Sequence, residues 1–196
     1  MRHRDDLLQT QLHQQNRLRD TPDSVVRASL EAVAEVVVKQ LEAVERAIKE
    51  HLAAHEELRT NLQLLTSIGG IGMITAAKLL AELGDIEQYE SAKAAAADVG
   101  VTPSPFESGT SVRRRPRMSK MGKAGLRAAL SWPAITAMRR CPGCKAYAER
   151  LAARGKAKKV VIGAVMRKLV HIIYGVLKHR TPYDPAKVFG YTATST

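Results

Sequence analysis

Apolar positions in the first third of the chain recur every seven residues. Leu30, Val37, Val44, His51, Leu58 and Leu65 form one register; Ala34, Leu41, Ile48, His55 and Leu62 form a second, four residues on. Five heptads of this a/d spacing predict one long helix, about Pro22 to Leu65, with a coiled-coil seam. Thr21 can cap it, and Pro22 suits its first turn. Such a helix spans roughly 66 Å, too long for the rest of so small a chain to cover. Residues 4–19 predict a short polar helix with Leu7, Leu8, Leu12 and Leu18 as its apolar positions, too weakly apolar to stand alone. The seam therefore needs a partner helix, from a second copy or from residues 4–19, and a homodimer or higher oligomer is the expected arrangement. His51 and His55 interrupt the seam, either as a polar layer that fixes register or as a pair whose protonation loosens the coil.

The pattern changes at Ser67-Ile68-Gly69-Gly70-Ile71-Gly72, where three glycines in four positions end the helix. Helical spacing resumes from Met73 to Leu83 through Ile74, Ala77, Leu80 and Leu83. Helix, glycine turn, helix is the pattern of a helix-hairpin-helix, in which Gly69, Gly70 and Gly72 let the backbone approach a DNA phosphate. A plain tight turn between helices is the other reading. An alanine-rich helix follows at Ser91–Asp98, and Pro103, Pro105 and Gly109 then hold a loop open. Ala124–Arg140 predicts a helix with Leu126, Leu130, Ile135 and Met138 inward, bent at Pro133. Lys145–Ala153 predicts a short helix, and Gly155–Lys159 a solvent-facing basic turn. Val160–Lys178 is the most apolar helix, with Arg167, Lys168 and His171 on or beside its polar face. Thr181–Thr196 reads as a loose tail. The fold class is all-α: a coiled-coil arm at 1–66, a compact helical domain at 67–180 and a tail at 181–196.

Composition agrees, with aromatics at only 4%. The net charge of +12 and a pI near 10.0 point to a polyanionic partner. Its distribution sharpens that. Residues 1–66 carry nine basic and eleven acidic side chains, whereas residues 67–196 carry 22 basic and eight acidic. From 113 to 180 there are 19 basic residues and the single acid Glu149. The two cysteines, Cys141 and Cys144, form a lone Cys-Pro-Gly-Cys; a zinc ribbon needs a second pair, and a thioredoxin-type site a βαβ surround. They read as a turn with incidental thiols. No apolar run near the length of a membrane span and no signal-peptide core stand out, so no membrane and a cytoplasmic location are expected.

The candidate chemistry lies between these helices. From Arg113 to Arg127 there are seven Lys or Arg residues and no carboxylate. A packed core could not hold that charge, so the segment faces water or a polyanion. Ser108, on a Ser-Gly step beside Arg113, Arg114, Arg115 and Arg117, has what a hydroxyl nucleophile aimed at phosphate needs. A solvated basic loop with an ordinary serine is the alternative.

Several segments together resemble a known family. Ile68-Gly-Gly-Ile-Gly-Met-Ile-Thr-Ala-Ala-Lys-Leu-Leu-Ala-Glu-Leu-Gly-Asp85, Val99-Gly-Val-Thr-Pro103, Glu107-Ser-Gly109, Arg117-Met-Ser-Lys-Met-Gly122, Leu126-Arg127 and Gly155-Lys156 resemble, in order, the C-terminal domain of the DEDD transposases of the insertion-sequence one-ten type. The resemblance implies a DNA recombinase guided by a bridge RNA, with DNA and guide RNA as partners. It implies that Ser108 is the serine nucleophile, and that Arg117, Ser119, Lys120, Gly122 and Arg127 occupy recurring positions. Phosphate contact is the role expected of the charged ones, Lys123 included. Gly69 stands where the family often has proline. The family also carries an N-terminal ribonuclease-H-like domain whose four acidic residues bind divalent metal. Asp5, Asp6, Asp20 and Asp23 lie on polar helix or turn positions and are not assigned to it. No cofactor is expected in this chain, and Mg²⁺ only with that nuclease domain. The reading is a transposase domain acting with a separate nuclease domain; its alternative is a non-catalytic nucleic-acid-binding dimer that modulates a full-length transposase.

Overall fold

The computed structural model describes residues 1–108, 112–119 and 121–189, and for 105–108 and 112–117 the backbone alone. The chain divides into two compact units, Met1–Arg59 and Thr60–Thr196.

The first unit is a pair of helices, α1 (Arg2–Asp20) and α2 (Ser24–Ala54), packed on each other. Asp23 caps α2, accepting from the amides of Val25 and Val26 at 3.0 and 2.9 Å. The cap is thus Asp23 instead of Thr21, and Pro22 precedes the helix. Arg4 ties the two helices together through Glu45 at 2.7 Å.

The predicted single helix is broken. His55 takes an extended conformation (φ −112°, ψ 111°), and α3 (Glu56–Thr66) begins after it. The buried positions of α2 are Leu30, Val37 and Leu52. A straight helix drifts about 20° per heptad against a strict seven-residue repeat. By the fourth heptad Leu52 has turned inward, and His51 and His55 are exposed, their rings 4.5 Å apart. Within the chain they form no buried polar layer.

The second unit continues from α3 through α4 (Met73–Leu83), a 3-10 turn (Ile86–Gln88) and α5 (Ala92–Asp98). Strands β1 (Pro103–Ser108) and β2 (Val112–Met118) follow, then α6 (Ala124–Ala129), α7 (Ser131–Arg140), α8 (Pro142–Ala153), α9 (Lys158–His179) and α10 (Pro185–Phe189). The fold is all-α, and among the described residues this hairpin is the only sheet. Helix α9 runs through the middle, with α5, α7 and α8 packed on it. Leu65, Ile68, Leu79, Leu83, Leu126, Leu130, Leu169 and Ile173 are the largest fully buried side chains.

Four expectations change here. Residues 103–108 and 112–118 pair as antiparallel strands and not as an open loop: Pro103 begins β1, and Pro105 and Pro116 fall at a bulge. There their missing N–H groups break no ladder bond. The helix expected at 124–140 is two, divided at buried Leu130. Pro133 then sits in the first turn of α7, where an N–H has no intrahelical partner in any case. Helix α8 starts at Pro142 instead of Lys145, so the Cys-Pro-Gly-Cys opens a helix. The tail is not loose up to Phe189, because α10 packs on α8. In addition, α9 is long and apolar enough to cross a membrane by length and composition, contrary to expectation. More than half of its apolar window is buried inside the unit, including Val165, Leu169 and Ile173, which accounts for that composition.

Candidate nucleic-acid interface

The hairpin is set on the helical core by a clasp at its base. Leaving α5, the chain turns through buried Val99 and Val101, and it returns through Gly122 and Lys123. The amide of Lys123 donates to Asp98 O at 2.9 Å, and that of Ser119 to Thr102 O at 2.9 Å. Gly122 has φ 117°, and a Cβ there would run into the carbonyl of Asp98. Only glycine lets these two backbones lie so close.

Side chains close the clasp. Lys123 Nζ lies 2.7 Å from Asp98 Oδ2, and the Tyr89 hydroxyl donates to the same oxygen at 2.6 Å. Tyr174 on α9 donates to the carbonyl of Tyr89 at 3.2 Å, and Arg127 to that of Val99 at 3.3 Å. Burial pushes the Asp98 carboxyl up, but the hydrogen bonds from Lys123 and Tyr89 outweigh it and hold its pKa below the ordinary value. Burial likewise pulls Lys123 down, and its bonds to Asp98 and Tyr89 raise it on balance. Burial, followed by Asp98, raises the Tyr89 phenol. The pair is ionised at neutral pH and joins two ends of the chain 25 residues apart.

On this base, the register sets Pro103 opposite Met118, Ser104 opposite Arg117, Phe106 opposite Arg114, Glu107 opposite Arg113 and Ser108 opposite Val112. Ser108 is therefore the last residue of β1, and Arg115 falls at the bulge. The backbone gathers Ser108, Arg113, Arg114, Arg115 and Arg117 on one two-stranded element. Ser119, Lys123 and Arg127 lie at its foot. Ser119 Oγ accepts from the Met121 amide at 3.3 Å. Lys123 and Arg127 are engaged with the protein itself. Lys120 lies outside the described residues, as does Gly109.

The glycine turn joins α3 to α4. Ile68 and Ile71 are buried and fix it to the core, while Gly69 and Gly72 are exposed, with open space where a Cβ would stand. Gly70 is different. It has φ 101°, and its Cβ would meet Pro133 O at 3.0 Å and Thr136 Cβ at 3.3 Å. Its role here is close packing on α7, whereas Gly69 and Gly72 present free backbone. Gly72 precedes α4, whose first amides have no intrahelical acceptor.

Sequence reasoning missed Tyr89, Asp98 and Tyr174. The one available signal was Asp98, a lone acid closing an alanine-rich helix just before the basic segment. Trp132, the only tryptophan, stands 74% exposed on α7 and was likewise not singled out. Among the described residues no group of three or more His, Cys, Asp or Glu side chains could hold a metal. The described residues therefore do not fit a divalent-metal nuclease centre.

Comparison with known proteins identifies part of this unit. Residues 62–149, which include the hairpin, match the model of the Transposase IS116/IS110/IS902 family. The match identifies residues 62–149 as a domain of that family. The chain is 37% identical over 129 residues to the Pilin gene-inverting protein of Moraxella bovis, covering 65% of this chain and 40% of that protein. It is 29% identical over 160 residues to the Insertion element IS110 uncharacterized 43.6 kDa protein of Streptomyces coelicolor, covering 82% of this chain and 38% of that one. Over 71 residues it is 39% identical to the Transposase for insertion sequence element IS1328 of Yersinia enterocolitica, covering 36% of this chain and 20% of that one. The chain thus spans about two fifths of the length of the first two relatives.

Proposed function

We propose that this chain works in DNA recombination, with the hairpin presenting Ser108 to a DNA phosphodiester. The observation that carries the reading is the register: it puts a serine at the end of β1 with four arginines on the paired strand, all clasped to a rigid core. In the proposed step the Ser108 oxygen attacks phosphorus, and the bond from phosphorus to the neighbouring nucleotide's oxygen breaks. The hydroxyl proton goes to a base, and the phosphoserine link keeps the bond energy for rejoining. Arg113, Arg114, Arg115 and Arg117 offset charge on the phosphoryl oxygens. The exposed backbone of Gly69 and Gly72 and the N-terminus of α4 hold a second phosphate. A serine hydroxyl is a weak nucleophile near neutrality, and it would need a base or a metal-bound partner to activate it.

Partners follow from the same reading: DNA, a guide RNA on the basic second unit, and a second copy through the first. Val25, Val26, Val33 and Val36 are exposed along α2, a stripe that suits a helical partner. That stripe also favours a second reading, a non-catalytic DNA-binding dimer that mixes with a full-length transposase.

The test offers nicked element-end DNA and Mg²⁺ to the chain, with and without the nuclease domain. A denaturation-resistant protein–DNA adduct that Ser108→Ala abolishes supports the serine chemistry. Binding without an adduct in either condition supports the second reading. Binding itself should weaken steeply with salt, since each phosphate contact releases counterion.

A further inference from the structure

The Cys-Pro-Gly-Cys motif is more than a turn. Cys141 is the N-cap of α8 and Pro142 its first residue, and both cysteines are free and buried. Cys141 Sγ lies 3.1 Å from the Tyr183 hydroxyl, which can donate to it, and the neighbouring Cys144 thiol and the Gly143 and Cys144 amides also favour the ionised sulfur. The hydrogen bond from Cys144 chiefly lowers the Cys141 pKa, against burial, and the same bond raises that of Cys144. One thiol is thus readied as a nucleophile and its neighbour kept protonated in contact with it, the division of labour a dithiol needs for exchange.

Tyr183 is held at two points. Its hydroxyl meets Cys141, and its amide donates to Ser67 Oγ at 2.8 Å, at the entrance to the glycine turn. Beyond it, Phe189 of α10 packs against Gly143, with Lys168 Nζ 5.0 Å above the ring. Residues 181–189 therefore lie as a strap over the dithiol. Cys141 is 6% exposed and Cys144 1%, so a reagent enters when the strap lifts.

We propose that Cys141 and Cys144 form a thiol–disulfide exchange site for low-molecular-weight disulfides, and that closing their disulfide frees the Tyr183 strap. The Cys141 thiolate attacks one sulfur of the small disulfide, forming a mixed disulfide and expelling one thiolate. Cys144 then gives up its proton and attacks the Cys141 sulfur, and the second small thiol leaves. Two protein thiols are oxidised to one disulfide, and one small disulfide is reduced to two thiols. The sulfur left on Cys141 is neutral and a weak acceptor, so the Tyr183 hydroxyl loses its anchor. This chemistry stands apart from the recombinase reading and does not depend on DNA.

The full chain is incubated with oxidised glutathione and weighed intact, before and after dithiothreitol. The expected product has lost two hydrogens, carries no adduct and is restored by reduction. Cys144→Ser should retain one glutathione on Cys141, and Cys141→Ser none. Wild-type chain that keeps both thiols, or that accumulates stable glutathione adducts, overturns the exchange site without reliance on any variant. Amide exchange across 181–189 reads the strap. It should quicken at least ~10-fold in the disulfide form, and in reduced Tyr183→Phe. Unchanged exchange on oxidation overturns the release.

Discussion

The two units solve the problem of burial in opposite ways. In the first, 59 residues bury only Leu30, Val37 and Leu52, and the outer face of α2 leaves valines at 25, 26, 33 and 36 in the open. In the second, one continuous cluster runs from Leu64 to Leu177 around α9, drawing on nearly every helix. A two-helix unit has one interface to bury, whereas a helix surrounded by others buries several faces. The second unit therefore has the means to fold around itself, and the first has apolar surface left over for something else.

Core truncation should break the comparison most sharply. Leu169 on α9 is 1% exposed, and Leu169→Ala should cost about 2–5 kcal/mol and collapse the second unit's thermal transition. Val37→Ala, in the thin interface of the first unit, should cost only about 1–2 kcal/mol. Equal losses at the two sites would show that the units unfold as one.

Next in size is the hairpin base. Gly122→Ala brings a methyl group onto the Asp98 carbonyl at a φ that other residues avoid, and should cost about 2–3 kcal/mol. Asp98→Asn removes the charge that Lys123 and Tyr89 address at a partly exposed site, and should cost about 1 kcal/mol after solvent screening. Both should loosen the hairpin more than the core, so amide exchange at Ser119 and Lys123 should rise while α9 stays protected. Uniform exchange throughout the unit would mean that the clasp does not hold the hairpin as a separate piece.

Much of this was legible in the sequence where a repeat or a run of one residue class spoke for it. The apolar register of α9, the turn at Ser67–Gly72 and the charge imbalance around Arg113 needed no coordinates. What failed turned on pairings between distant residues. The heptads ran straight through His55, because a 3.5-residue count does not show the drift that brings Leu52 inward. Pro103 and Pro105, with Gly109, argued for a loop; the register instead sets Pro103 opposite Met118 and Pro105 at a bulge. The clasp of Tyr89, Asp98 and Lys123 and the contact of Tyr183 with Cys141 join segments that no local pattern links. For the site itself, a serine beside arginines could be named from sequence. The strand pairing that sets them on one element could not.

A smaller change in stability tests the first unit. Val33→Glu with Val36→Glu alters two exposed positions on α2 and should move monomer stability by less than about 0.5 kcal/mol. If a second copy covers the stripe, the double variant should sediment as a monomer at concentrations where the wild type does not. Identical sedimentation would remove the stripe as a self-association surface and leave the first unit's spare apolar face without that use.

The smallest effect is a pH response confined to the second unit. His171 Nε2, on α9, is buried with no hydrogen-bond partner among the described residues, in a hollow also lined by Lys168, His179, Tyr183, Asp184 and Lys187. Burial, then Arg167 and Lys168 on the same helix, lower its pKa below that of a free imidazole. The folded state thus holds the neutral ring, while the unfolded chain takes up a proton near pH 6.5. Stability is full above that pH and falls as pH drops through it, since the unfolded state then binds more protons. The Asp98 contribution runs out in a separate and more acid window, as its carboxylate is protonated in the fold. Between pH 7.5 and pH 5.5 the second unit's melting temperature should decline, and His171→Gln should flatten that decline while leaving the first unit's response unaltered. A slope unaffected by His171→Gln would assign the acid sensitivity to other groups.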